Sequence, residues 1–133
     1  MKWITRAHVH VDRVACPWLI RRFIDAEAEF SFVAKGLVEE EAKKTGAIPF
    51  DAPGVELGHH GDDCSFVSIV KKYELKDPAL LRLAEVVNAA DTDKLESNPY
   101  APGLEAIAQG YSLRHPDDFE NVEAQFEVYD ALY

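Results

Sequence analysis

The spacing of apolar residues changes several times over residues 1–51, and these changes constrain the fold more than any other feature. Residues 2–10 and 29–34 alternate apolar and polar side chains, as strands do. Residues 47–51 form a third candidate strand, in which Pro49 is restricted to an edge or a strand end. Because helical segments separate the three, the order β-α-β-α-β predicts a small, three-stranded, largely parallel sheet with right-handed crossovers.

The position of the first helix is indicated by Pro17. Proline is tolerated in the first turn of a helix and costs about 3 kcal/mol in the interior. We therefore expect Cys16 to be the N-cap and the helix to run from Pro17 to about Asp25. Its predicted buried face consists of Leu19, Ile20, Phe23 and Ile24.

Helical patterns continue to the end of the chain. A short helix at 37–45 should end at Gly46. Four further helices are expected at 64–74, 77–90 (with Asp77 as N-cap), 102–113 and 116–132. The fold class is thus α/β or α+β, with the sheet followed by a helical C-terminal half, and 133 residues suit one domain, 1–133.

The net charge of −10 argues against binding of nucleic acid through its phosphates. The acidic residues of the last 19 positions are expected to form the solvated face of a helix. Two cysteines do not form a disulfide framework, and no apolar run suits a signal peptide or a membrane span. We therefore expect a cytoplasmic protein that does not associate with membranes.

Cations cluster near the predicted start of the first helix. Arg21 and Arg22, with Trp18 on the same helix, could bind an oxyanion, because a guanidinium offers a planar pair of donors. Alternatively, both arginines form ion pairs with the abundant carboxylates. A thiol at a helix N-terminus beside Arg13 would favour the thiolate, so Cys16 is a candidate nucleophile or reductant. Cys64 is a second candidate, and burial of either thiol is the competing interpretation.

A candidate metal site combines three separate segments. His59 lies in the sequence GHHGDDC at 58–64, where Asp63 is expected to N-cap the next helix. Asp12 follows the first strand, where parallel sheets usually bind ligands, and shares a period-two pattern with His8 and His10. Asp91 ends a helix, where a negative charge opposes the dipole. We expect a divalent metal ion, of unspecified identity, if Asp12, His59 and Asp91 converge.

The same segments resemble the ChrB-type chromate-resistance domain over about residues 3–133. The matching strings are WITR, DRVACPWLIRRFIDAEAEF, GAIPFDAPGVELGHHGDDCSF, DPAL, ADTD, APGLEAIAQG and YDALY. The positions matching the family pattern are Asp12, Arg13, Cys16, Trp18, Arg21, Arg22, Asp51, His59, Cys64, Phe66, Asp91 and Tyr129. The resemblance implies a role in bacterial chromate resistance, in which ChrB-type proteins act as chromate-sensitive regulators of an efflux operon. The N-terminal portion of such regulators has no counterpart here, so we expect no DNA binding by this chain alone.

Three functions remain open from the sequence. The first is a module that senses or binds chromate or a related oxyanion through Arg13, Trp18, Arg21 and Arg22, with or without a metal ion. The second is an enzyme, either a thiol-based chromate reductase or a metal-dependent hydrolase. The third is a partner-binding domain that forms a homodimer or joins a separate regulator chain.

Overall fold

The computed structural model describes all 133 residues, which form a three-stranded sheet and six α-helices. The strands are β1 (Lys2–Arg6), β2 (Glu29–Val33) and β3 (Ile48–Pro49). The helices are α1 (Val11–Phe23), α2 (Val38–Thr45), α3 (Ser65–Lys72), α4 (Pro78–Asp91), α5 (Ala101–Arg114) and α6 (Asp118–Leu132). None of these helices is both long enough and apolar enough to cross a membrane.

The sheet has the order β2-β1-β3, and both neighbouring pairs are parallel. In the register of the sheet, Trp3 lies opposite Phe30 on one side and Ile48 on the other. Pro49 lies in β3, at an edge, as a residue without a backbone N–H requires. The predicted class is confirmed as α+β, with a small parallel sheet followed by a helical C-terminal half.

The predicted start of α1 is wrong. The helix begins at Val11, and Pro17 lies in its interior, where it removes one backbone N–H donor. Val11 and Val14 are fully buried, and burying each such side chain contributes about 1.5–3 kcal/mol, which offsets the penalty of the proline. Tertiary packing therefore outweighs the local preference of Pro17 for a first turn.

Strand β1 also ends earlier than predicted, at Arg6. His8 has a left-handed backbone conformation, with φ of 64°, which turns the chain before α1. The carboxylate of Asp118, on α6, accepts the backbone N–H groups of His8 and Val9 at 3.0 and 2.9 Å. His8, His10 and Asp12 therefore do not share one face of a strand.

Helix α1 lies at the centre of the fold. It packs against α3, α4, α5 and α6. Nine of the ten residues at positions 11–20 are buried, and Arg13 is the exception. The largest fully buried side chains of the core include Trp3, Trp18, Phe50, Phe66 and Tyr129. A smaller cluster around Ile4, Val38 and Ala42 joins β1 to α2. Burial of α1 fixes the position of Asp12 in its first turn.

Candidate functional site

The Asp12 carboxylate lies at the N-terminus of α3 and is only 2% exposed. Its two oxygens accept the backbone N–H groups of Ser65 at 2.8 Å and Phe66 at 3.1 Å. Asp12 thus satisfies donors that the first turn of a helix leaves free. The prediction that Asp63 caps α3 is wrong, because Cys64 occupies the N-cap position and Asp63 instead pairs with Lys71.

The His59 imidazole lies in front of three carboxylates. Its Nε2 atom is 2.9 Å from Asp91 Oδ2, 3.4 Å from Asp12 Oδ2 and 3.4 Å from Asp51 Oδ1. One ligand atom from each of Asp12, His59 and Asp91 lies within 4.8 Å of the others. The structure therefore brings together the three residues named from the sequence as a candidate metal site. The His59 side chain is 44% exposed, so small solutes can reach this centre.

Asp51 is the residue that the sequence-based candidate site lacked. It follows β3 at the carboxyl end of the sheet and has φ of 45°. Ser65 Oγ donates to Asp51 Oδ1 at 2.8 Å, and guanidinium groups of Arg6 and Arg13 lie 3.6 and 3.8 Å from Asp51 Oδ2. The available signals were its place after the third strand and its match to the family pattern; neither identified it as a partner of His59.

The carboxylates of the centre have opposing pKa shifts. Burial raises the pKa of Asp12, and burial together with the charges of Asp12 and Asp51 raises the pKa of Asp91 to about 7. Burial would also raise the pKa of Asp51, but hydrogen bonds from His59 and Ser65 and the nearby arginines lower it below its ordinary value. Asp51 is therefore the carboxyl most firmly held as a carboxylate.

The same carboxylates strongly favour a protonated His59. Hydrogen bonding to Asp12 and Asp51 raises the pKa of His59 to about 10, against a weaker opposing effect of burial. At neutral pH the imidazolium therefore offsets part of the negative charge of the carboxylates, in addition to Arg6 and Arg13. A metal ion coordinated by Nε2 would have to displace this proton.

The two thiols lie in environments that disfavour the thiolate. Cys16 lies in the interior of α1, not at its N-terminus, and Cys64 is equally buried. Burial, followed by the charge of Asp12, raises the pKa of both thiols above the ordinary value. The expectation that a helix N-terminus activates Cys16 is therefore wrong, because the helix begins five residues before it.

The arginines of α1 are divided between two locations. Arg13 lies beside Asp51 in the candidate site. Arg21 pairs with Glu123 at 2.7 Å, and Arg22 pairs with Asp130. Trp18 Nε1 donates to the same Asp130 carboxylate at 2.8 Å. The structure therefore does not bring Trp18, Arg21 and Arg22 into an anion pocket with Arg13; it supports the alternative of structural ion pairs for the latter two.

A cavity of about 310 Å³ opens beside the centre. Its lining residues are Arg6, Asp51, Ala52, Pro53, Gly54 and His59. Arg6 is thus the guanidinium that shares a cavity with His59, a role that the sequence did not indicate. Arg6 Nε donates to the backbone oxygen of Asp51 at 3.0 Å, which holds the side chain against the cavity wall.

Comparison with known proteins identifies a family over nearly the whole chain. The protein-family model described as "ChrB, C-terminal domain" matches residues 3–133 and confirms the resemblance that the sequence motifs indicated. Protein ChrB of Cupriavidus metallidurans is 36% identical over 135 residues. The alignment covers 99% of this chain and 40% of that protein, so the chain spans about 40% of the relative's length. No solved structure matches.

The burial of both thiols leads to a prediction about their reactivity. In the folded protein we expect Cys16 and Cys64 to react with a thiol-specific disulfide reagent at least about 100-fold more slowly than in strong denaturant, because labelling requires opening of the core. Absorbance of the released chromophore measures the rate. Rapid labelling of either thiol in the native state would contradict this prediction and restore the thiol-based chemistry.

The raised pKa of His59 leads to a prediction about stability. Stabilisation by the imidazolium is complete below the unfolded pKa of 6.5 and is lost as pH rises towards about 10. In buffer with a chelator, the difference in unfolding free energy between wild type and His59→Gln should therefore shrink across this range. Urea unfolding at a series of pH values measures it. A difference that stays constant would show that His59 is not held protonated.

Proposed function

This chain belongs to the ChrB C-terminal domain family, and we propose that it binds a divalent metal ion through Asp12, His59 and Asp91 as part of a chromate-resistance response. The observation that carries the proposal is the position of the His59 imidazole, with one nitrogen facing three carboxylates. Carboxylates and imidazole are common ligands of divalent ions such as Mn²⁺, Fe²⁺ and Zn²⁺.

The charge of the centre favours a cation over a free anion. Asp12, Asp51 and Asp91 lie around His59, and Asp12 and Asp51 are almost completely buried. A dianion such as chromate placed directly among these carboxylates would be repelled strongly, because interactions between partly buried charges are weakly screened. A bound divalent ion offsets this charge and supplies the positive partner that an oxyanion needs.

The cavity beside the centre gives an oxyanion a route to such an ion. Arg6 and His59 both line it, and Arg6 carries a guanidinium suited to tetrahedral oxyanions. We therefore propose that chromate or a related oxyanion is bound between the metal ion and Arg6. Arg21 and Arg22 take no part, because they do not line this cavity and pair instead with carboxylates of α6 at the other end of α1.

The family match alone does not assign regulation of transcription to this chain. The chain spans about 40% of the length of Protein ChrB, and its net charge of −10 disfavours contact with nucleic-acid phosphates. The proposed role of residues 3–133 is that of a sensing module. The oxyanion and the metal ion are its direct ligands.

Metal binding is the first test of this function. Isothermal titration of untagged protein with Mn²⁺ or Zn²⁺ should show one ion per chain, and His59→Gln and Asp91→Asn should each weaken binding at least about 10-fold by removing a ligand. Asp93→Asn is the matched control, since it removes one charge from the exposed turn that follows α4, two residues from Asp91. Absent wild-type binding, or equal losses in all three variants, would overturn the proposal.

Oxyanion binding is tested on the same protein. Titration with chromate, molybdate and sulfate should give binding to the metal-loaded protein and at least about 10-fold weaker binding after chelation, because the acidic centre then repels the anion. Arg6→Gln should weaken oxyanion binding and leave the metal stoichiometry unchanged. Arg21→Gln, at the opposite end of α1, should change neither. Equal oxyanion affinity with and without metal would refute this part of the proposal.

A further inference from the structure

The loop Gly58–Cys64, here termed the His59 loop, is fixed at both ends by side chains outside the candidate metal centre. At its start, Ser68 Oγ, on α3, donates to the backbone oxygen of Gly58 at 2.7 Å. Gly58 also lies against the preceding turn, where a Cβ atom would come within 2.9 Å of the Ala52 oxygen. The start of the loop therefore has a closely packed position that only glycine permits.

The other end of the His59 loop is held by the Asn88 side chain, on α4. Asn88 Nδ2 donates to the backbone oxygen of Asp62 at 3.1 Å, and Asn88 Oδ1 accepts the backbone N–H of Cys64 at 2.8 Å. Both polar groups of the amide are thus used on one short segment. Asn88 fixes the loop where it enters α3.

Between these two attachments the loop is a tight turn. The backbone groups of His60 and Asp63 exchange two hydrogen bonds of 3.0 Å, and Gly61 provides the positive φ, 61°, that the turn requires. A displacement at Asp62 or Cys64 is therefore transmitted through the turn to His59. Because His59 is 44% exposed, packing alone does not hold its ring in place.

Helix α4 connects this loop to Asp91, which with Asp12 is one of the two carboxylates proposed as metal ligands. Asn88 and Asp91 are three residues apart, so they lie on the same side of the helix. Asp91 Oδ2 approaches His59 directly at 2.9 Å, while Asn88 holds the loop that carries His59. One turn of α4 thus determines the distance between two of the three candidate ligands.

We propose that Asn88, together with Ser68, is a positioning residue that holds His59 Nε2 at the distance from Asp12 and Asp91 required to share one metal ion. This inference rests on the proposed metal binding. Side chains that orient metal ligands commonly affect affinity by about 10-fold or more without touching the ion. Asn88 and Ser68 have this relation to His59, because both act through backbone groups of its loop.

The test uses Cu²⁺ as a probe of nitrogen coordination. Electron paramagnetic resonance of wild-type protein should show nitrogen hyperfine coupling that is lost in His59→Gln. In Asn88→Ala and in Ser68→Ala this coupling should be weakened, with metal affinity reduced about 10-fold. Ser68→Ala provides an independent test if Asn88→Ala does not fold. Asn98→Ala is the matched control, since its amide accepts a backbone N–H from Tyr100 and it should leave the spectrum unchanged.

The outcomes separate the two proposals. Wild-type protein whose copper spectrum is identical to that of His59→Gln would overturn the proposed metal centre itself. Wild-type protein with the coupling, and folded Asn88→Ala and Ser68→Ala proteins with unchanged coupling and affinity, would overturn only the positioning role. Loss of thermal stability without a spectral change would likewise identify both side chains as structural.

Discussion

The buried Asp12 carboxylate determines how α1, α3 and the candidate site are arranged. A buried carboxylate is tolerated only when hydrogen bonds replace its hydration, and Asp12 obtains two from the first backbone N–H groups of α3. The backbone N–H of Asp12 in turn donates to Asp91 Oδ1 at 3.3 Å. This hydrogen bond connects the C-terminal end of α4 to the same residue. The ends of three helices, α1, α3 and α4, therefore meet at one residue. The capping role and the proposed ligand role are compatible, because each carboxylate oxygen has two lone pairs.

The proposal of a bound cation follows from this arrangement. Hydrogen bonds from His59 and Ser65, followed by the charges of Arg13 and Arg6, keep Asp51 ionised, whereas burial raises the pKa values of Asp12 and Asp91. His59 compensates by holding its proton up to about pH 10. A divalent ion would supply more positive charge than this proton, and its coordination by His59 would release the proton to solvent. Metal binding and proton release are therefore expected to be coupled at this centre.

The sequence predicted the features that depend on local pattern. Alternation identified β1 and β2, and Asp77 followed by Pro78 identified the start of α4, where the Asp77 side chain accepts the N–H groups of Ala79 and Leu80. Features set by distant residues were missed. The start of α1 depends on burial of Val11 and Val14, which Pro17 does not reveal.

For the candidate site, residue type and position at strand and helix ends were sufficient to name Asp12, His59 and Asp91. Their convergence could not be read from spacing, because it depends on the capping of α3 by a residue 53 positions earlier. Asp51 was overlooked as a partner of His59 because their contact is set by tertiary structure and matches no local pattern. For Arg21 and Arg22 the sequence left anion binding and ion pairs as alternatives, because their carboxylate partners lie 102 and 108 positions away.

The two ends of α1 differ in how their charges are balanced, and this difference supports the proposed location of the function at one of them. At the C-terminal end, Arg21 and Arg22 each have one carboxylate of α6, so acidic residues expected to face only solvent serve as structural partners. At the N-terminal end, Asp12 and its neighbouring carboxylates share two arginines and one imidazole. Surface pairs of the first kind contribute little free energy, whereas burying an excess of negative charge is costly, and the proposed cation would lower that cost. The chemistry of this chain is therefore expected at the Asp12 end, where such a cation would both stabilise the fold and attract an oxyanion.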